Sequence, residues 1–134
     1  MDCLFVYGTL RAEFENPKSK LLLENADLTG KGFFYGKLYN VSWYPGAVLS
    51  ENDQHHVHGW VYQLKNAEKA WEWLDDYEGV STNDAEPHEY VRQLVKVFLQ
   101  THEEVYCWVY IYNHSVDGLE LIPSGDYLKF RPIL

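Results

Sequence analysis

The chain has 134 residues, of which 46% are apolar and 16% aromatic, and this composition excludes a disordered protein. The formal net charge is −9 at pH 7, and no lysine- or arginine-rich segment offsets it, so nucleic acid is not an expected partner. The apolar runs are too short to span a bilayer and no signal-peptide pattern is visible, so we expect a cytoplasmic protein without a membrane partner.

No repeat, linker or low-complexity tract divides the sequence, and we expect a single domain over residues 1–134. Cys3 to Val6 is an apolar run typical of a buried strand that stops at a turn. Lys18 to Leu28 predicts a short helix. Phe33 to Val41 is rich in aromatic residues and predicts a strand, with a bulge or bend at Gly36. Tyr44-Pro45-Gly46 predicts a turn.

In the second half, the pattern is most regular from Ala67 to Tyr77, where apolar residues recur at helical spacing. Asn66 is the expected N-cap of this helix and Gly79 its C-terminal stop. Many strands around one regular helix indicate an α+β fold with a curved or closed sheet. The other predicted elements are strands and one turn, namely Val57 to Leu64, Tyr90 to Leu99, Val105 to Tyr112, and the turn Pro123-Ser124-Gly125 before a tail.

The loop Tyr7 to Arg11 follows the first predicted strand. A strand that ends in Gly-Thr can present successive backbone N–H groups to an anion or a developing oxyanion. An ordinary turn between a strand and a helix explains the same residues, because short glycine motifs are common. On these residues alone both interpretations stay open.

The end of the predicted helix carries three carboxylates, Asp75, Asp76 and Glu78. A helix C-terminus disfavours negative charge, and neighbouring carboxylates do the same. A glutamate held there could have a raised pKa and act as a general acid and base. The alternative is that all three side chains are solvated, as acidic clusters on an acidic protein usually are.

His56 and His58 would lie on one face of a strand, but a metal site needs a third ligand, and the polar residues before them favour solvated histidines. No metal or other cofactor is expected.

The two cysteines, Cys3 and Cys107, occur in apolar segments and are expected to be free thiols. The aromatic residues of the late strands are expected to be core, and the alternative is that one of them lines a cavity. These residues are Tyr90, Trp108, Tyr110 and Tyr112.

In order along the chain, several motifs resemble the γ-glutamylcyclotransferase-like family, also called the AIG2-like family. The two most specific are Val6-Tyr7-Gly8-Thr9-Leu10-Arg11 and Leu74-Asp75-Asp76-Tyr77-Glu78-Gly79. The others are Gly36-Lys37-Leu38-Tyr39, Tyr44-Pro45-Gly46, Val57-His58-Gly59-Trp60-Val61-Tyr62, Tyr90-Val91-Arg92, Trp108-Val109-Tyr110 and Ser124-Gly125-Asp126-Tyr127. Together they cover nearly the whole chain.

The resemblance implies a small mixed β-barrel with flanking helices and an enzyme that converts a γ-glutamyl amide to 5-oxoproline and a free amine. It implies Glu78 as the catalytic acid and base and no cofactor. The implied substrate-binding residues are Tyr7, Gly8, Thr9, Leu10 and Tyr110. The expected partner is a small γ-glutamyl compound, and the expected state is a monomer or homodimer.

One departure concerns residues 12–17, Ala-Glu-Phe-Glu-Asn-Pro, where many family members have a short glycine-containing turn. Because of this departure, the chemical identity of the amine half of the substrate stays open. Whether Arg11 contacts the substrate is a second open point. The alternative to an enzyme is a catalytically silent module of the same fold that binds a glutamyl or other carboxylate ligand.

Overall fold

A computed structural model describes residues 2–8, 10–11, 16–78 and 87–130 of the chain. Seven strands and three helices lie within these residues. In chain order they are β1 (Cys3–Val6), α1 (Pro17–Asn25), β2 (Ala26–Asn40), β3 (Pro45–Leu49), β4 (His56–Leu64), α2 (Ala67–Tyr77), β5 (Tyr90–Leu99), β6 (Glu104–Tyr112), β7 (Glu120–Ile122) and α3 (Tyr127–Phe130).

Five of the strands close into a barrel in the order β2-β4-β1-β6-β5, and β5 then pairs with β2 at Gly32 and Phe33. The sheet is mixed, because β1 runs parallel to β6 and antiparallel to β4. β3 and β7 pair with the second half of β2 and extend the sheet beyond the barrel. The expected α+β fold, a small mixed β-barrel with flanking helices, is therefore confirmed.

β1 is covered on both faces. Phe5 points into the barrel, where its ring meets Phe34 edge-to-face at 5.5 Å. Leu4 and Val6 point outwards into a second apolar cluster that includes Leu22 of α1. A strand buried on both faces reads as a continuous apolar run, which is the pattern that predicted β1.

The predicted bounds of β1, α2 and β5 agree with the structure, and β4 and β6 each begin one residue earlier than predicted. Asn66 caps α2 as expected, since its Oδ1 accepts a hydrogen bond from the Lys69 N–H at 3.4 Å. The predicted stop at Gly79 lies outside the described residues. The turn before the tail is confirmed at Gly125, where φ is +67°, and the short helix α3 follows it.

Other expectations in the first half were wrong. The predicted helix Lys18 to Leu28 ends at Asn25, because Ala26 to Leu28 pair with β4. The irregularity in β2 lies between Leu28 and Gly30 rather than at Gly36. At Gly36 a Cβ would lie 2.6 Å from the Val48 carbonyl oxygen, so close strand approach explains that glycine.

The expected turn Tyr44-Pro45-Gly46 is also corrected, since Pro45 and Gly46 open β3. A Cβ on Gly46 would lie 2.8 Å from the Tyr112 ring, so this glycine lets β3 approach β6 closely.

Both cysteines are free thiols in the structure, as expected. Within the described ranges, no helix combines the length and the apolar character needed to cross a membrane.

Candidate functional site

A cavity of about 410 Å³ opens beside the end of β1 and the end of α2. Its described lining comes from five parts of the chain: β1 and the loop after it, the segment before β3 with the first residue of β3, the end of α2, the start of β5 with the residue before it, and β6. The lining residues are Phe5, Val6, Tyr7, Gly8, Leu10, Trp43, Tyr44, Pro45, Tyr77, Glu78, Glu89, Tyr90 and Tyr110.

Five of the six residues expected at the site line this one cavity: Glu78, Tyr7, Gly8, Leu10 and Tyr110. They come from three separate elements and are brought together by the fold. The sixth, Thr9, lies outside the described residues. Arg11 does not line this cavity, because its guanidinium is buried beside Asp126, with 2.6 Å between Nη1 and Oδ1.

Glu78 directly follows the last residue of α2, and its backbone N–H donates to the Leu74 carbonyl at 2.9 Å. Burial raises the pKa of its carboxyl from the usual 4.5 to about 8, and the charges of Glu89 and Asp75 add to the rise. Glu78 is therefore a carboxyl group that gains and loses a proton near neutral pH. Among the three carboxylates of this helix end, it is the one that lines the cavity.

The other two acidic side chains of the helix end have different surroundings. Asp75 accepts a hydrogen bond from the Tyr110 hydroxyl at 2.6 Å and lies 3.8 Å from Nη1 of Arg92. Asp76 is exposed. The solvated interpretation of this acidic cluster therefore holds for Asp76 and is wrong for Asp75 and Glu78.

Tyrosine hydroxyls fix the walls of the cavity. Tyr7 donates to the Tyr110 carbonyl at 2.6 Å and accepts from the Ala47 N–H at 3.2 Å. Tyr90 donates to the Pro45 carbonyl at 2.6 Å. Burial raises the pKa of Tyr7, Tyr90 and Tyr110 well above the usual range, so all three stay neutral donors. The cavity is thus held by a hydrogen-bonded frame that joins β1, β3, β5 and β6.

Gly8 follows the Tyr7 end of β1. A Cβ at this position would lie 3.1 Å from Cγ of Pro45, tighter than most real contacts, so a larger residue would push Pro45 away. The Arg11 N–H donates to the Gly8 carbonyl at 3.1 Å and closes the turn. The small residue keeps the loop backbone close to the opposite wall of the cavity.

Sequence reasoning missed Glu89 and Tyr44 as site residues. The Tyr44 hydroxyl donates to the Glu89 carboxylate, and both line the cavity. Tyr44 was read as part of a turn. Glu89 directly precedes β5. The sequence marks it only as an acidic residue next to a strand that contains aromatic residues. Tyr90 was considered mainly as core and also lines the cavity, whereas Trp108 and Tyr112 do not.

The histidines His56 and His58 lie on the outer face of the barrel, away from this cavity. The His56 ring stacks on Phe33 at 4.0 Å, and His58 lies 5.9 Å from the same ring. The described part of the chain contains no group of three His, Cys, Asp or Glu side chains placed to hold a metal ion. Aromatic packing accounts for the two histidines.

The fold and cavity define a mixed β-barrel protein with a cavity of about 410 Å³ beside the end of β1. Residues 4–129 match the family described as γ-glutamyl cyclotransferase, AIG2-like. The γ-glutamylcyclotransferase family protein YtfP of Escherichia coli K12 is 36% identical over 126 residues, covering 93% of this chain and 95% of YtfP. The chain therefore belongs to the γ-glutamyl cyclotransferase, AIG2-like family.

Solved structures agree with this assignment. The solution structure of YtfP from Escherichia coli superposes with a TM-score of 0.65 at 35% identity, covering 96% of this chain and 97% of that one. A mouse AIG2-like protein gives a TM-score of 0.70 and covers 90% of this chain and 85% of its own. Its identity is 24%, so this second similarity supports the fold alone.

Proposed function

We propose that the protein is a γ-glutamyl cyclotransferase, which converts a γ-glutamyl amide to 5-oxoproline and a free amine with Glu78 as general acid and base. The observation that carries the proposal is a carboxyl group with a pKa of about 8 in a cavity that the first loop also lines. Family membership supports the reaction class. A volume of about 410 Å³ suits a small molecule.

The first step is a proton transfer. The ionised Glu78 carboxylate takes a proton from the substrate's α-ammonium group and leaves a neutral amine. Because the pKa of Glu78 is raised to about 8, this transfer costs far less free energy than a transfer to an ordinary glutamate would. The group accepts and returns a proton most readily when its pKa lies near the working pH.

The second step forms the ring. The neutral amine attacks the γ-carbonyl carbon of the same glutamyl group, and the bond to the leaving nitrogen breaks when Glu78 gives its proton to that nitrogen. The regenerated Glu78 carboxylate then takes the second proton from the ring nitrogen and passes it to the released amine, which leaves as an ammonium ion. Backbone N–H groups of the loop after β1 are suited to steady the glutamyl oxygens, including the tetrahedral oxyanion. Since nucleophile and electrophile belong to one molecule, orienting them supplies much of the rate acceleration.

The assay is 5-oxoproline release from a panel of γ-glutamyl amino acids and γ-glutamyl amines. Glu78→Gln keeps the shape of the side chain and removes its basicity, so turnover is expected to fall at least about 100-fold. Glu72→Gln makes the same change on an exposed position of α2 and is expected to retain activity.

Full activity of correctly folded Glu78→Gln would overturn the role of Glu78. If wild-type protein releases no 5-oxoproline from any compound but binds one of them, the protein is a silent binding module instead. Far-UV circular dichroism of both variants checks that the fold is intact.

A further inference from the structure

The described lining of the cavity has more acidic groups than the proposed reaction requires. Two of its described lining residues are carboxylates, Glu78 and Glu89, and none is lysine or arginine. Seven of the thirteen are aromatic. The proton transfers involve Glu78, which leaves the second carboxylate without a task in the chemistry.

Glu89 is held in place from two sides. Its backbone carbonyl accepts a hydrogen bond from the Asn113 N–H at 2.7 Å. The Tyr44 hydroxyl donates to one carboxylate oxygen, Oε2. The other oxygen, Oε1, has no hydrogen-bond partner among the described residues. A fixed carboxylate with an available oxygen is suited to bind a cation or another hydrogen-bond donor of a ligand.

The aromatic neighbours of Glu89 favour the same kind of ligand. Trp43 lies at the rim with 66% of its surface exposed and packs edge-to-face on Tyr44 at 5.0 Å. Aromatic faces attract cations, most strongly on tryptophan. A carboxylate on the amine half, placed beside Glu89, would meet like charge there.

Building on the proposed cyclotransferase function, we propose that the amine half of the substrate carries a positive charge and no carboxylate, and that Glu89, Tyr44 and Trp43 form its binding subsite. The glutamyl half then occupies the part of the cavity nearer Glu78 and the loop after β1. Glu89 is a specificity-determining residue in this arrangement, and an alkyl diamine is the class of leaving amine that fits.

The test uses three γ-glutamyl amides whose amine parts have the same four-carbon length and differ in charge. They are the amides of 1,4-diaminobutane (cationic), n-butylamine (neutral) and 4-aminobutyrate (anionic). For the wild type at low ionic strength we expect kcat/KM to fall in that order, with at least a tenfold preference for the cationic over the neutral amide, the effect of one modest charge interaction.

Glu89→Gln should bring the ratio of kcat/KM for the cationic and neutral amides close to one. Glu89 also raises the pKa of Glu78, so its replacement changes the rates with all three amides. The ratio between two amides within one variant cancels that common effect. Glu104→Gln removes one charge from an exposed position of β6 outside the cavity and should keep the wild-type ratio.

Each other outcome overturns the inference in a distinct way. Turnover of the cationic and neutral amides at equal rates by the wild type removes the cationic subsite and leaves the cyclotransferase function standing. A uniform loss in Glu89→Gln with an unchanged ratio shows that Glu89 acts only on what the three amides share, through Glu78 or the glutamyl half, and removes its role in binding the amine half. No 5-oxoproline from any of the three amides overturns the subsite, and the proposed function falls with it only if the γ-glutamyl amino acids of the wider panel are not converted either.

Discussion

At the residue scale, the surroundings of Glu78 disfavour the ionised form of its carboxyl group. Its pKa in the folded protein is about 8, against an ordinary value of 4.5. Between these pH values the unfolded chain loses this proton while the folded chain keeps it. The free energy of unfolding therefore falls as pH rises from about 4.5 to about 8, and at lower pH this penalty is absent.

We therefore expect Glu78→Gln to be more stable than the wild type at pH 8, by a few kcal/mol at about 1.4 kcal/mol per pKa unit. The two proteins should have nearly equal stability at pH 4.5. Urea unfolding at both pH values measures the difference. Asp76→Asn, which alters an exposed carboxylate two residues away, is the matched control and should show no such trend. An equal gain for Glu78→Gln at both pH values would contradict the raised pKa.

The sequence draws attention to the acidic end of α2, because a helix that ends in several carboxylates is energetically unusual, and the resemblance to a family motif points to Glu78. The physical pattern alone does not distinguish Asp75, Asp76 and Glu78. That distinction depends on Tyr110, which comes from a strand 35 residues away and hydrogen-bonds to Asp75. Glu89 could not be found for the same reason: only tertiary structure brings it next to Tyr44, 45 residues away.

At the element scale, β4 pairs with β1 and approaches it very closely at Gly59. A Cβ on Gly59 would lie 2.1 Å from the Val6 carbonyl oxygen and 2.8 Å from Cζ of Phe5. β1 leads directly into the loop that lines the cavity. The close approach of these two strands therefore fixes where that loop begins.

Gly59→Ala is expected to destabilise the protein by at least about 2 kcal/mol, because backbone must shift to admit one methyl group. Gly30 provides the control, since a Cβ there would meet nothing within 4 Å. Gly30→Ala should change stability by no more than about 0.5 kcal/mol. Thermal denaturation compares the two, and a similar loss in both variants would show that strand glycines matter here for another reason.

Elements that depend on local pattern were predictable, and those that depend on distant partners were not. The bounds of α2 follow from its own spacing and its Asn66 cap. β3 and β7 are short strands that exist because the second half of β2 extends past the barrel and offers them pairing partners. The first three residues of β2, Ala26 to Leu28, were assigned to a helix because their pairing with β4 is not visible in the local spacing of apolar residues.

At the scale of the whole molecule, one ion pair joins the two ends of the described chain. Arg11, 3% exposed, follows the cavity loop, and Asp126 directly precedes α3. Burial alone would raise the pKa of Asp126, but the hydrogen bond and charge of Arg11 lower it below the usual 3.8. The pair therefore stabilises the fold above pH 3.8, and this contribution is lost as pH falls through the lowered pKa.

Asp126→Asn leaves the buried Arg11 charge without this carboxylate, and we expect a loss of about 3 kcal/mol at pH 7. The loss should be smaller at pH 3, because the contribution of the pair declines as pH falls below 3.8 towards the lowered pKa of Asp126. Urea unfolding at the two pH values tests this. Asp117→Asn, at an exposed position, serves as the control. A loss that is equally large at pH 3 would indicate that shape rather than charge is what Asp126 contributes.

The position of β1 has a consequence for how the protein acquires its site during synthesis. β1 is synthesised before the other strands of the barrel, yet it pairs with β4 around residues 60–63 and with β6 at Trp108. Its apolar residues cannot pair until β4 and β6 have been synthesised, and such non-local pairing slows folding. The cavity, which needs Tyr7 beside Tyr110, is therefore assembled only when most of the chain has been translated. A nascent chain that stops short of β6 would expose β1 and carry no site.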